Sequence, residues 1–195
     1  MIASDICPKI CGWEIRDEGS GLHEYGGPEK LKFEDNVPDP QMSGDTVLIA
    51  AAAASVNPID WKLRSGMRRK DSPLSFPAIL GRDVSGVVRA VGTHVKHFKP
   101  GDRVLALSNA TYAELVAVDD SDVTHLPDGV DLADAAAIPL VALTGDQLVR
   151  LATNVQKGQV VLVTRSPGQC WARGRAYGEE DRRAGDCRCS RERAG

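Results

Sequence analysis

The sequence predicts a mainly β protein, a small barrel or sandwich of short strands with short helices, followed by the opening of a βα unit and an irregular tail. Three observations carry this reading. Between residues 46 and 129, short apolar runs alternate with turn-forming clusters at close spacing. After Asp131 the pattern changes to two helical stretches and one continuous apolar run. After Thr164 the aliphatic residues stop, and residues 165–195 contain no Leu, Ile, Val, Met or Phe.

Taken in order, the first twenty residues show no clear period, with Cys7, Cys11 and Trp13 scattered among them, and read as an irregular extension. The first clear strand is Thr46 to Ala54, entered after Pro38-Asp39-Pro40 and Ser43-Gly44-Asp45. A short helix from Pro58 to Arg64 follows, since Asn57 is a good N-cap, Pro58 suits the first helical position, and Asp60 faces the positive end of the helix dipole. Gly66 supplies its stop. Further strands are expected at Val84 to Val91, at Arg103 to Leu107 after the Lys99-Pro100-Gly101-Asp102 turn, and at Tyr112 to Val118, with Pro127-Asp128-Gly129 closing the run. Asp131 caps a short Ala-rich helix that Pro139 is expected to end. Thr144 to Ala152 reads as a second helix, and Gln159 to Thr164 as a buried strand. There is no internal repeat.

At 195 residues, with 42% hydrophobic and 26% charged, the chain is long enough for one or two globular units. A net charge of −3, from 24 basic and 27 acidic residues, creates no whole-chain field to attract nucleic acid or an anionic membrane. The longest apolar stretch, Val47 to Val56 apart from Ser55, is far below the roughly 20 residues of a membrane helix, and nothing reads as a signal peptide. A cytoplasmic protein is therefore expected. The five cysteines, Cys7, Cys11, Cys170, Cys187 and Cys189, cluster at the two ends and suggest neither a disulfide framework nor a zinc ribbon.

A family resemblance rests on motifs that occur in a fixed order. They are Leu22 to Glu29, Ser55-Val56-Asn57-Pro58-Ile59-Asp60, Pro77 to Val88, Lys99-Pro100-Gly101-Asp102-Arg103-Val104, Tyr112-Ala113-Glu114-Leu115-Val116, Leu126-Pro127-Asp128-Gly129, Ala135 to Leu140, and Leu143-Thr144. Each is weak alone, but together, over about residues 22 to 164, the chain resembles the medium-chain dehydrogenase/reductases, and more narrowly their zinc-free, quinone-oxidoreductase branch. The resemblance implies a GroES-like β-barrel with short helices over 22–142 and the first strand of a Rossmann nucleotide-binding domain over 143–164, between an irregular extension at 1–21 and a tail at 165–195. It implies hydride transfer from NADPH to a small-molecule quinone or conjugated carbonyl, with the protein orienting the cofactor and excluding water and with no dedicated acid or base. By resemblance Asn57 lines the cleft near the nicotinamide, and Thr144 contacts the nicotinamide end. Each has a plain alternative, Asn57 as a helix cap and Thr144 as the N-terminal residue of the next helix. Thr144-Gly145-Asp146-Gln147 departs from the family, which carries an aromatic residue where Asp146 stands.

Zinc-dependent relatives hold their metal with a thiolate, a histidine and a further thiolate or acidic ligand. Here Asn57, Arg82-Asp83 and Leu140 occupy those places, so no metal site is expected. His23, His94, His97 and His125 share no motif and are expected on surfaces or turns.

The run Val160-Val161-Leu162-Val163-Thr164 resembles the first Rossmann strand, after which the family has a glycine-rich pyrophosphate loop at a helix N-terminus. Arg165-Ser166-Pro167-Gly168 follows instead, with one glycine and a proline that removes a backbone donor. The tail carries eight Arg against five acids, whereas residues 1–164 sum to −6. Its lack of aliphatics predicts disorder. Reading the tail's permitted codons one nucleotide later allows a Rossmann loop and helix: Trp171-Ala172 then forces a glycine, and Glu179-Glu180-Asp181 a basic pair. A frameshift at Thr164 is accordingly the expected origin of the tail, and a chain without the nucleotide loop is expected to bind little NADPH. Two readings from other classes compete, a non-catalytic binding or interaction module on the barrel, and a nucleic-acid binder driven by the tail's arginines.

Overall fold

The computed structural model describes residues 17–37, 39–156 and 159. Two antiparallel sheets form a curled half-barrel. The smaller has the order β2-β1-β4, from β1 (Asp17–Leu22), β2 (Leu31–Val37) and β4 (Ala78–Ile79). The larger has the order β7-β3-β5-β6-β8, from β3 (Thr46–Ser55), β5 (Asp83–Val91), β6 (Arg103–Leu107), β7 (Leu115–Asp119) and β8 (Val123–His125). The helices are α1 (Pro58–Arg64), α2 (Leu132–Ala135) and α3 (Pro139–Gln147), the last continuing as a π-helical turn over Leu148–Ala152.

The core follows from alternation along β3 and β5. Val47 and Ile49 point inward and meet Val84, Val88, Val104, Ala106, Val116, Val118 and Val123. These side chains are small and mostly β-branched, which suits a tightly curved sheet. On the other face of β6, Leu105 joins Leu126 and Ala135, so α2 packs on the outside of the same strand.

The close pairing of β3 with β5 depends on a glycine. Gly86 lies opposite Ala51, beside a register shift between Ala51 and Ala53, and a Cβ at 86 would fall 2.1 Å from the Ala50 carbonyl oxygen.

Several expectations are met closely. α1 spans the expected residues, and β3, β5 and β6 differ from expectation by at most one residue at an end. Others are corrected. The irregular extension ends earlier than expected, because Asp17 to Leu22 is a strand, paired with both β2 and β4. Two of its six residues are glycines, which have no strand propensity, so only the pairing reveals it. Tyr112 to Glu114 is not strand but an irregular entry to β7, bonded across to β1 through Ser20 N–H to Tyr112 O (2.8 Å) and Glu114 N–H to Glu18 O (2.9 Å). Pro139 begins α3 rather than ending α2, since a helix's first turn tolerates the missing N–H. Thr144 therefore lies inside α3, not at its start. The helical run 132–152 is also apolar enough, by length and composition, to be a candidate membrane span, although the barrel engages it through Ser85 and Asp83. Of the buried strand expected from Gln159 to Thr164, Gln159 is exposed and outside any strand, and its remainder, the tail and all five cysteines lie outside the described residues.

Gly86→Ala should destabilise the domain by about 3 kcal/mol, because backbone rather than a movable side chain opposes the new methyl. Urea denaturation followed by far-UV circular dichroism measures this, with an unchanged midpoint as the contrary result.

Candidate active site

The end of β3, the start of β5 and the N-terminus of α1 converge on a buried polar cluster. Asn57 is the N-cap residue of α1 and has extended backbone. Its own N–H donates to Asp60 Oδ2 (2.7 Å), which closes the first turn of the helix. The Asn57 amide Nδ2 donates to Asp83 Oδ2 (2.7 Å) and to Ser55 Oγ (3.0 Å). The Ser55 hydroxyl donates to Asp83 Oδ2 as well. Asp83 Oδ1 accepts the backbone N–H of Leu140 (2.7 Å) in the first turn of α3. A carboxylate only 1% exposed is thus supplied with three donors from three segments.

A second layer surrounds Asp60, itself buried. Its Oδ2 accepts the Tyr112 hydroxyl (3.0 Å), while its Oδ1 is buried without a protein partner. Burial pushes the Tyr112 phenol far above its ordinary value, with the Asp60 carboxylate the next cause through its charge and its hydrogen bond. A phenolate beside Asp60 would face like charge in a poorly solvated place. Tyr112 is accordingly a hydrogen-bond donor across the whole ordinary pH range. Gly81 makes room here. Its φ of +102° excludes other residues, and a Cβ there would lie 2.3 Å from Thr111 Oγ1 and 2.6 Å from the Tyr112 ring.

The two residues expected to meet a cofactor are placed differently. Asn57 is buried with its amide committed to Asp83 and Ser55. Thr144 is half-buried, one turn beyond Leu140 on the same side of α3, and no hydrogen bond joins its side chain to the cluster among the described residues. The path Asn57–Asp83–Leu140 nevertheless ties the two elements that carry them.

Of the residues expected in the places of metal ligands, Asn57 and Leu140 come together on Asp83, the neighbour of Arg82. They offer one carboxylate, an amide turned nitrogen-first and a backbone N–H, which is a donor set for hydrogen bonds and not for a divalent cation. Among the described residues no three His, Cys, Asp or Glu side chains are grouped as a metal would need. Arg82 points away from the cluster's carboxylate to Asn109 Oδ1. The four histidines are all exposed and dispersed: His23 pairs with Glu34, His94 with Asp45, and His125 meets the carbonyl of His97.

Ser55, Asp60, Asp83 and Tyr112 are the site residues that sequence reasoning did not single out for this cluster. Asp60 was legible as a helix-start residue and Asp83 as a substituted ligand, but Tyr112 is 52 residues from Asp60, and nothing local signals the contact.

Residues 43–128 match the family described as Alcohol dehydrogenase GroES-like domain. The chain is 39% identical over 157 residues to the NADPH-dependent alkenal/one oxidoreductase, chloroplastic, of Arabidopsis thaliana, covering 74% of this chain and 40% of that protein. It is 37% identical over 149 residues to the quinone oxidoreductase of Sus scrofa, covering 75% and 45%. Among solved structures, the Pseudomonas syringae quinone oxidoreductase superposes with a TM-score of 0.72 at 30% identity, covering 84% of this chain and 50% of that one. The Escherichia coli quinone oxidoreductase complexed with NADPH gives 0.63 at 29% identity, covering 73% and 43%. The chain thus spans about half, or less, of the length of these relatives.

Phenol titration tests the second layer. In the intact chain Tyr112 should resist ionisation beyond the ordinary phenol range, and Tyr112→Phe should remove that late-titrating group from the absorbance near the ultraviolet phenolate band. Because the folded value is raised above the unfolded one, stability should fall as pH rises above about 10, and the variant should lose part of that dependence. Separately, Asp83→Ala strands three buried donors and should cost about 3–5 kcal/mol in urea denaturation.

The motif order, the half-barrel and both sets of relatives agree: the chain carries an alcohol dehydrogenase GroES-like domain, and its homologues are quinone and enone oxidoreductases of the medium-chain dehydrogenase/reductase superfamily.

Proposed function

We propose that this chain carries the substrate-side half of an NADPH-dependent reductase of quinones or conjugated carbonyls, working by hydride transfer without zinc. The observation that carries the reading is the hydrogen-bonded join, through Asp83, of Asn57 and Leu140, which stand in the places of metal ligands in zinc-dependent relatives, while Arg82, in the place of the histidine, turns to Asn109. A bound NADPH supplies the hydride. The chain's own part is to hold Asn57 at the head of α1 beside the nicotinamide, to set the first turns of α3 so that Thr144 faces the nicotinamide end, and to keep water from that end. The catalytic contribution is positional: the Asp83 oxygens and the Tyr112 hydroxyl are committed to hydrogen bonds that hold the cluster together.

Affinity for a dinucleotide comes largely from its pyrophosphate on a glycine-rich loop. Arg165-Ser166-Pro167-Gly168 lacks that spacing, so the chain as given is proposed to bind NADPH poorly. The apolar run's engagement with the barrel favours a cytoplasmic setting over a membrane-spanning one. A second reading, a non-catalytic interaction module, is favoured by one observation. Val56 is 80% exposed before α1, and Leu143, Leu148 and Leu151 are exposed along α3 and its extension.

Calorimetry and elemental analysis decide between these. The 195-residue chain should show no micromolar heat of NADPH binding and no stoichiometric zinc. A chimera in which residues from Thr164 onward are replaced by the corresponding part of the Sus scrofa quinone oxidoreductase should bind NADPH and reduce a quinone, and Asn57→Ala in that chimera should lower turnover. Zinc at about one per chain would overturn the metal-free reading, and a chimera that binds NADPH but reduces neither quinone nor enone would favour the interaction module.

A further inference from the structure

The small net charge of the chain conceals a local concentration of cations. Within residues 62–71 lie Lys62, Arg64, Arg68, Arg69 and Lys70, with Asp71 the one acid, although residues 1–164 sum to −6. Residues 67–73 are exposed without a break, so this segment projects from the barrel after α1.

The projection has a built shape. Arg69 N–H donates to Gly66 O (3.1 Å), and both Asp71 and Ser72 N–H donate to Arg68 O (3.1 and 2.7 Å), giving successive tight turns. Tyr25 pins its base. The Tyr25 hydroxyl accepts Leu74 N–H (2.8 Å), its ring meets Phe76 edge-on at 4.9 Å, and Gly66, at φ +76°, lies against the same ring. Gly26 N–H to Arg64 O (2.9 Å) closes the other side. Little ordering entropy is left to lose on binding.

Apolar side chains share the surface. Met67, at the start of the projection, is 63% exposed, with Trp61 and Phe76 also exposed on its flanks.

We infer that residues 66–76 form a docking surface for an anionic phospholipid bilayer. Arg68, Arg69 and Lys70 meet the negative headgroups, and Met67 enters the boundary between headgroups and acyl chains. The Arg68–Asp71 ion pair, at 3.7 Å and exposed on both sides, is too weak to cancel the field. The acidic remainder of the domain is repelled by the same headgroups, which orients the projection toward the membrane. Nucleic acid would be drawn by the same cations, but it is bound in grooves with free aromatic faces. Here the Phe76 ring is held edge-on against Tyr25, and Lys62 Nζ lies over the Trp61 ring at 5.7 Å from the centroid. The inference is independent of the redox reading.

Vesicle sedimentation with the full 195-residue chain tests it. The chain should sediment with vesicles of phosphatidylserine and phosphatidylcholine, much less with phosphatidylcholine alone, and less as salt is raised. Because residues 165–195 carry eight further arginines, the decisive readout is the difference made by the projection. The triple variant Arg68→Glu, Arg69→Glu, Lys70→Glu should weaken partitioning about a hundredfold or more with an unchanged unfolding midpoint. Met67→Ser should weaken it while leaving the salt dependence in place. Equal partitioning by the triple variant and the parent would overturn the inference. So would a single-stranded oligonucleotide that binds more tightly than the vesicles and is lost in the same triple variant, which would assign the surface to nucleic acid.

Discussion

A carboxylate buried to 1% exposure is costly unless donors replace the water it has lost, and the donors that serve Asp83 come from three separate parts of the chain. Ser55 ends β3, Asn57 begins α1, and Leu140 lies in the first turn of α3. Burying Asp83 therefore fixes where β3 stops, how the first helix departs and where the last helix meets the sheet. The candidate site exists because these three constraints share one acceptor. The same commitment explains why the Asn57 amide faces inward. Its nitrogen serves the carboxylate, and the reciprocal bond that closes the first turn of α1 comes from the Asp60 side chain.

Around that point, packing and site formation are one arrangement. Asp83 begins β5, and β5 reaches β3 closely only because Gly86 carries no side chain against the Ala50 carbonyl. Val84 and Val88 then enter the core while Ser85 turns outward, its hydroxyl donating to the Leu132 carbonyl and drawing α2 onto β6. The alternation that builds the core thus also delivers Asp83 and Ser85 to the helices. The link between fold and function lies in one strand's register.

Charge is distributed unevenly over this frame. Exposed acids dominate most of the body, while the basic residues after α1 sit on a projection clamped by Tyr25. A whole-chain sum averages the two away. Surface recognition responds to charges within about a Debye length, roughly 8–10 Å at ordinary ionic strength, so the local arrangement governs it.

The sequence by itself determined the elements whose causes are local. The cap, proline and first-turn acid of Asn57-Pro58-Ile59-Asp60 specify α1, β-branched runs between turn clusters specify β3, β5 and β6, and Asp131 caps α2 by accepting the Ala133 N–H. The order of motifs also carried the family. Only the tertiary structure decided the rest. β1, with two glycines in six residues, is a strand because β2 and β4 pair with it, and Pro139 starts a helix because Asp83 takes the N–H of the residue after it. Tyr112 belongs to the site through a hydroxyl that crosses from the entry of β7 to α1. The physical reason is common to all of these: propensity and capping act over three or four residues, whereas the partner that satisfies a buried polar group or an unpaired strand edge lies tens of residues away, where no local pattern records it.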